Sequence, residues 1–473
     1  MSNQTWASLI IALLVALTIC AILVNRRAAV VVGLHNAVWV GAITLIGTDL
    51  IRYSHSTTAA WLVLITALSM FNLGSIFAIS RSRFVQENLS PHEPVSPGPL
   101  ITRTTLFTLL AIYTLAVAFY LHTIANRFGL VTLFTDPASI RSAPGESYLE
   151  SVPILARLGL YLGPLLVAIL GFSGSIHRPL PIALRATLLT LIGASMLLLL
   201  QRTNLYMGVL WLVALYLSKG FGTVKLSPKS VTKPASERPP RKWKALAAVF
   251  VAGIVLIGSF QLLGGALGKN GQQALSTGAV SEPLARSGFT SPFVYYTAGP
   301  VAFLQLVDST NFDQPPLRVQ GEMRVGDYNP QTWGAATFSP LMKVIPLWEP
   351  FDTITPFINT GVLTNVYTWI EPFFRDFRLA GVAVGMLCLG FGTSWLFVHR
   401  FRSVAIYWLQ GAFLSTIFLA TFTTKLNNTL FVAGILFILA LSAYRRLERT
   451  AIANAAAKSQ KRVSPASSAR VRL

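Results

Sequence analysis

Long apolar runs alternate with short polar breaks along the chain, and this pattern sets the architecture before any motif is considered. A helix rises 1.5 Å per residue, so about 18 to 22 apolar residues suffice to cross the hydrocarbon core of a bilayer. Eleven such spans are predicted, at 7–24, 28–48, 58–79, 104–122, 153–173, 179–200, 203–218, 245–265, 378–398, 403–422 and 428–444. The expected fold class is therefore all-α, a polytopic integral membrane protein of about 11 transmembrane helices with a large extracytoplasmic cap of short helices and loops. In domain terms, 1–265 holds helices 1–8, with linkers near 80–103 and 219–244. Residues 266–377 form the cap, 378–444 carry helices 9–11, and 445–473 are a basic tail.

The break of roughly 110 residues before the ninth span is far longer than a connection requires, and loops of that length usually carry function. It contains 11 prolines between Pro283 and Pro372 and many aromatic residues, which excludes long helices and predicts short ones at the membrane interface. The segment 298–307 is apolar enough to lie on a membrane and too short to cross it.

Composition agrees with the spans. The 473 residues are 53% hydrophobic and only 12% charged, where soluble domains carry about 25% charged residues. A formal charge of +21 raises nucleic acid as a partner, but its distribution excludes that. Arg26 and Arg27 follow the first span while nothing before it is charged, so the positive-inside rule places the N-terminus outside and the C-terminus in the cytoplasm. In that orientation the cytoplasmic segments hold 24 Lys and Arg against four acids, whereas the two signs balance outside. The excess charge is thus a topology signal that also draws anionic headgroups. The first span lacks a basic leader and a small-residue cleavage site, so it is expected to stay as an anchor. Cys20 and Cys388 lie in apolar runs and predict no disulfide framework. The glycine-rich stretch 264–270 is one residue short of a phosphate loop, so ATP-driven transport by this chain alone is not expected. No spacing predicts a metal site or cofactor.

Three polar stretches carry candidate chemistry. The first is the turn QRTN at 201–204, where Arg202 either snorkels to headgroups or faces a cavity. RVQGEMRVGDYNPQTW at 318–333 supplies Arg324, Asp327 and Tyr328. Richest is NVYTWIEPFFRDF at 365–377, with Asn365, Tyr367, Trp369, Glu371, Arg375 and Asp376, followed by Arg378. Pro372 suits a first helical turn, which puts these charges at a helix start, where backbone N–H groups and the dipole favour an anion. Charged groups beside lipid are costly unless paired or hydrated, and several together mark a site. A phosphate or pyrophosphate would satisfy the arginines by bidentate bonding, and a plain Glu371–Arg375 ion pair is the structural alternative.

The pattern Asn-Val-Tyr-Thr, two aromatics, Asp-Phe and a Gly opening a span, at 365–381, resembles the signature region of the O-antigen and oligosaccharide repeat-unit polymerases. Those proteins are also similar in span number, in a large outer loop before the late spans, and in an Arg-Thr turn, here Arg202 and Thr203. Arg378 stands where the family pattern leads one to expect glycine. The resemblance implies an inverting, metal-independent glycosyltransferase in a bacterial plasma membrane, with polyprenyl-diphosphate-linked oligosaccharides as donor and acceptor. It implies Arg202, Arg324, Arg375 and Arg378 for phosphate, Asp376, Asp327 or Glu371 as base or positioning group, and Asn365, Tyr328, Tyr367 and Trp369 for sugar. A chain-length regulator or a flippase is the expected kind of partner. A glycan ligase, a single-sugar transferase and a lipid-linked sugar flippase are the competing functions.

Overall fold

The computed structural model describes residues 2–26, 28–88, 98–142, 152–172, 174–199, 202–220, 278–287, 289–309, 336–342, 358–421 and 428–463, with single positions 258, 334 and 426 besides. The described chain is predominantly helical. Its helices are α1 (Asn3–Asn25), α2 (Val30–Gly47), α3 (Thr58–Asn88), α4 (Arg103–Phe128), α5 (Leu130–Thr135), α6 (Pro137–Ser142), α7 (Ile154–Leu160), α8 (Leu162–Gly171), α9 (Ile182–Leu198) and α10 (Arg202–Gly220). There follow α11 (Glu282–Arg286), α12 (Thr290–Ser309), α13 (Ser339–Met342), α14 (Glu371–Val398), α15 (Val404–Ile417) and α16 (Thr429–Val463).

Local chemistry starts several of them. Ser2, Thr102 and Ser403 sit at N-caps, and their hydroxyls accept from the free backbone amides of Thr5, Thr105 and Ile406. Among the described residues seven helical stretches are long and apolar enough to cross a membrane: 3–25, 30–47, 58–81, 103–128, 154–171, 371–398 and 429–448. The expected spans at 179–200, 203–218 and 403–422 fall on α9, α10 and α15, which do not reach that combined length and hydropathy. The span expected at 245–265 lies outside the described residues except for Gly258. Large apolar side chains on outward faces, such as Leu23, Leu115 and Ile182, are exposed, as suits an apolar solvent.

Two cores form. One gathers α1, α2, α3, α12, α14 and the segment 358–370, and the other gathers α4, α8, α9, α10, α15 and α16. Among the described residues α3 and α14 make the most extensive helix pairing. A Cβ at Gly390 would strike the Phe71 carbonyl and one at Gly74 the Leu387 carbonyl, while Ser75 Oγ donates to the Gly390 carbonyl at 3.1 Å. Small residues are what let two helix backbones approach this closely without a hydrophobic drive between them.

Within the region expected to be a cap of short helices, α12 is instead one helix of 20 residues that continues through Pro300 and is mostly buried against α2 and α3. The connection 48–57 fastens it: Asp308 accepts from the Thr57 backbone N–H at 3.0 Å and from its hydroxyl, Gln305 Nε2 donates to the His55 carbonyl at 3.0 Å, and Tyr53 and Thr297 hydroxyls pair at 2.5 Å. The same connection receives a two-strand hairpin, β1 (Ile358–Asn359) with β2 (Leu363–Thr364). Gly361 turns it with φ +96°, and an added Cβ would lie 2.6 Å from the Arg52 carbonyl oxygen, so the turn needs glycine both for conformation and for contact.

Candidate functional site

The hairpin delivers the chain into 365–378, the stretch richest in candidate chemistry. The Trp369 backbone N–H donates to the Ala420 carbonyl at 3.0 Å, just past α15, and its indole packs 5.4 Å from Phe71, fourteen residues into α3. The segment therefore runs inward along α3 before α14 begins. Pro372 takes the first turn of α14, as expected from its missing donor.

That first turn does not continue straight into the span. Phe377 (φ −138°, ψ 16°) and Arg378 (φ 54°, ψ −141°) leave helical geometry, so 371–376 is a separate short helix that folds back on the long one. Gly381 and Gly385 make the fold possible, because a Cβ at either would strike the Phe373 carbonyl or ring. The positive φ at Arg378 is a conformation that favours glycine. Its guanidinium lies 5.5 Å from the centre of the Phe374 ring.

Charges on the short helix are buried and engaged. Arg375 Nε and Nη2 both meet Glu371 Oε1, at 2.6 and 2.5 Å, with the two side chains 5% and 3% exposed. The expected alternative of an i,i+4 pair is thus the observed contact, but in a dry interior, where removing one partner leaves an uncompensated charge. Asp376, expected to balance an arginine, turns its carboxylate to backbone amides as well: Oδ1 accepts from Ala336 at 3.1 Å and Oδ2 from Thr337 at 2.7 Å. These bonds tie the chain before α13 to the break in α14.

The aromatic candidates are buried too. Burial, with the Glu371 carboxylate nearby, pushes the Tyr367 phenol well above its ordinary pKa, against the opposing pull of Arg375. Trp369 is 1% exposed, and it packs against His35 at 5.8 Å and Phe71 at 5.4 Å, so its ring takes part in packing. Asn365 is half-buried. Arg202 opens α10, with its side chain outside the described part, and Arg324, Asp327 and Tyr328 lie outside the described residues altogether.

His35, in α2, lies against the same segment. Its ring stacks on Phe71 at 3.9 Å, and a hydrogen-bonded group surrounds it: Asn36 Nδ2 donates to the Leu14 carbonyl and to Thr18 Oγ1, so Asn36 Oδ1 is left to accept from His35 Nδ1 at 2.9 Å and from Asn72 Nδ2 at 3.0 Å. His35 Nε2, Asn72 Oδ1 and the Trp369 indole N–H are buried with no hydrogen-bond partner among the described residues. Polar side chains inside apolar spans were the available signal, but spacing could not show that α2, α3 and the 365–370 segment meet there. Among the described residues no group of three or more His, Cys, Asp or Glu side chains could hold a metal ion.

Compared with protein-family models, curated proteins and solved structures, the chain matches none.

Proposed function

We propose that this chain is a membrane glycosyltransferase of the polymerase type, joining polyprenyl-diphosphate-linked oligosaccharide repeat units at the outer face of a bacterial plasma membrane. The observation that carries this reading is the concentration of Glu371, Arg375, Asp376 and Arg378 within eight residues, at a break in an apolar helix. Two cations and two carboxylates there supply what the transfer requires. As the bond between the donor sugar and its diphosphate breaks, Arg378, joined by Arg375 once its fork leaves Glu371, balances the charge developing on the leaving group. A carboxylate takes the proton of the acceptor hydroxyl while that oxygen bonds the anomeric carbon from the opposite side. Asp376 is held by two backbone amides and Glu371 is paired with Arg375, so Asp327 is kept as the alternative base to Asp376. Thr337 follows Tyr328 by only nine residues, which supports assigning Arg324, Asp327 and Tyr328 to the same site. Arg202 completes the phosphate set, and Asn365 and Tyr367 serve the sugar side. Buried Trp369 acts by positioning.

A second reading, a flippase for lipid-linked sugars, draws support from the polar group His35, Asn36 and Asn72 inside the helices, where a transporter would place its polar residues. One experiment separates the readings: purified protein is incubated with lipid-linked repeat units in vesicles. A ladder of chain lengths is expected. One addition instead indicates a single-sugar transferase, capture by a different acceptor a ligase, and movement across the bilayer without new bonds a flippase. Elongation is expected to survive EDTA, and loss restored by added metal overturns the metal-independent chemistry.

A further inference from the structure

Three arginine side chains place the same edge of the guanidinium on protein acceptors. The edge formed by Nε and Nη2 is the fork that matches two oxygens side by side. Arg103 places it on the carbonyls of Arg178 and Pro179 at 2.6 and 2.7 Å. Arg185 places it on the carbonyls of Leu170 and Gly171 at the end of α8, and Arg375 on Glu371. Arg400, in the turn between α14 and α15, is only 7% exposed, yet among the described residues its side chain donates to a single acceptor, the Phe397 carbonyl, through Nη1 at 2.5 Å. Its Nε is buried with no acceptor, and no carboxylate pairs with it among the described residues.

The guanidinium is nonetheless held in place. It lies 4.0 Å from the Phe397 ring centre and 4.6 Å from that of Phe401. Phe401 stacks on Tyr407 at 6.2 Å, and Tyr407 donates its hydroxyl to the Leu215 carbonyl at 2.8 Å, which anchors the turn to α10. Burial pushes the Arg400 pKa down to about 10, partly offset by Tyr407, so the group is still cationic at neutral pH. Arg402 is exposed two residues on. A fixed, buried cation whose Nε has no acceptor among the described residues is costly unless an anion compensates it.

We propose that the turn 399–403 is an oxyanion site in which the Nε–Nη2 edge of Arg400 takes two phosphate oxygens, supplied by the phosphodiester of an anionic membrane phospholipid or by free phosphate. The site is separate from residues 365–378 and stands whether or not the chain transfers sugars. Its test is the melting temperature of the purified full chain under four conditions: nanodiscs of phosphatidylcholine alone or with phosphatidylglycerol, each with and without inorganic phosphate. Either phosphate source is expected to raise the midpoint by about 2 °C or more, as ligand linkage requires for a site near saturation. A rise with phosphatidylglycerol alone identifies the lipid as the source, and a rise with inorganic phosphate alone identifies the free ion. The rise should vanish in Arg400→Gln and persist in Arg402→Gln. No rise from either source, or an equal rise in Arg400→Gln, overturns the proposal. Should Arg400→Gln fail to fold, native mass spectrometry of the unaltered chain decides. Retention of one phosphatidylglycerol or one phosphate per chain, in preference to phosphatidylcholine, supports the site, and retention of neither overturns it.

Discussion

Arg378 is the residue where conformation and chemistry pull apart. Its φ of 54° belongs to glycine, and a side chain held there costs about 1–3 kcal/mol. The contact with Phe374 returns about 0.5–1 kcal/mol. The pattern at 365–381 leads one to expect glycine at this position, and the backbone has the shape that glycine would take. Retaining arginine against that strain makes sense if the guanidinium does work on substrate. Arg378→Gly is therefore expected to raise thermal stability by about 1 kcal/mol while lowering elongation by about 10²-fold, the usual loss when one stabilising donor is removed. Melting curves in detergent together with chain-length ladders check both halves. A more stable variant that elongates normally would remove Arg378 from the phosphate set.

At the scale of elements, the pairing of α3 with α14 positions the candidate site, since it fixes the helix on which the 371–376 turn folds back. Gly390 and Gly74 allow the approach, and Gly381 and Gly385 allow the return of Phe373. Replacing Gly390 by valine would drive a side chain into the Phe71 carbonyl, at a cost of about 1–3 kcal/mol for forcing packed elements apart. Gly392, on the same helix, has nothing within 4 Å of an added Cβ, so Gly392→Val controls for helix propensity. The expected result is a clear fall in melting temperature for Gly390→Val and little change for Gly392→Val. Equal behaviour of the two would show that the contact does not limit stability.

For the whole molecule, charge asymmetry is the strongest long-range signal. The positive-inside reading places the connection after α4 outside and the turn between α14 and α15 in the cytoplasm. With Cys20 and Cys388 replaced by alanine, a cysteine at Thr135 is expected to react with a membrane-impermeant reagent in intact cells. One at the exposed Arg402 should react only after permeabilisation. The reverse pattern would invert the orientation and move residues 365–378 to the cytoplasmic side.

The apolar runs by themselves determined that the chain is mostly helical, with helices long and apolar enough to cross a bilayer, because a span of about 20 apolar residues has few other stable fates. They also located the charged stretch before the late spans and its proline-led helix start, both local properties. What only the tertiary structure decided depends on contacts distant in sequence. Hydropathy could not show that α12 is a long buried helix, since its partners are α2, α3 and the connection 48–57. Nor could spacing show that Asp376 would hold the amides of Ala336 and Thr337, that His35 would lie against Phe71 and Trp369, or that Arg400 would be buried against two rings with no carboxylate partner among the described residues. Each of these requires knowing which helix faces which. An apolar span names its solvent, whereas its neighbours are chosen by the few glycines and polar groups that meet across the interface.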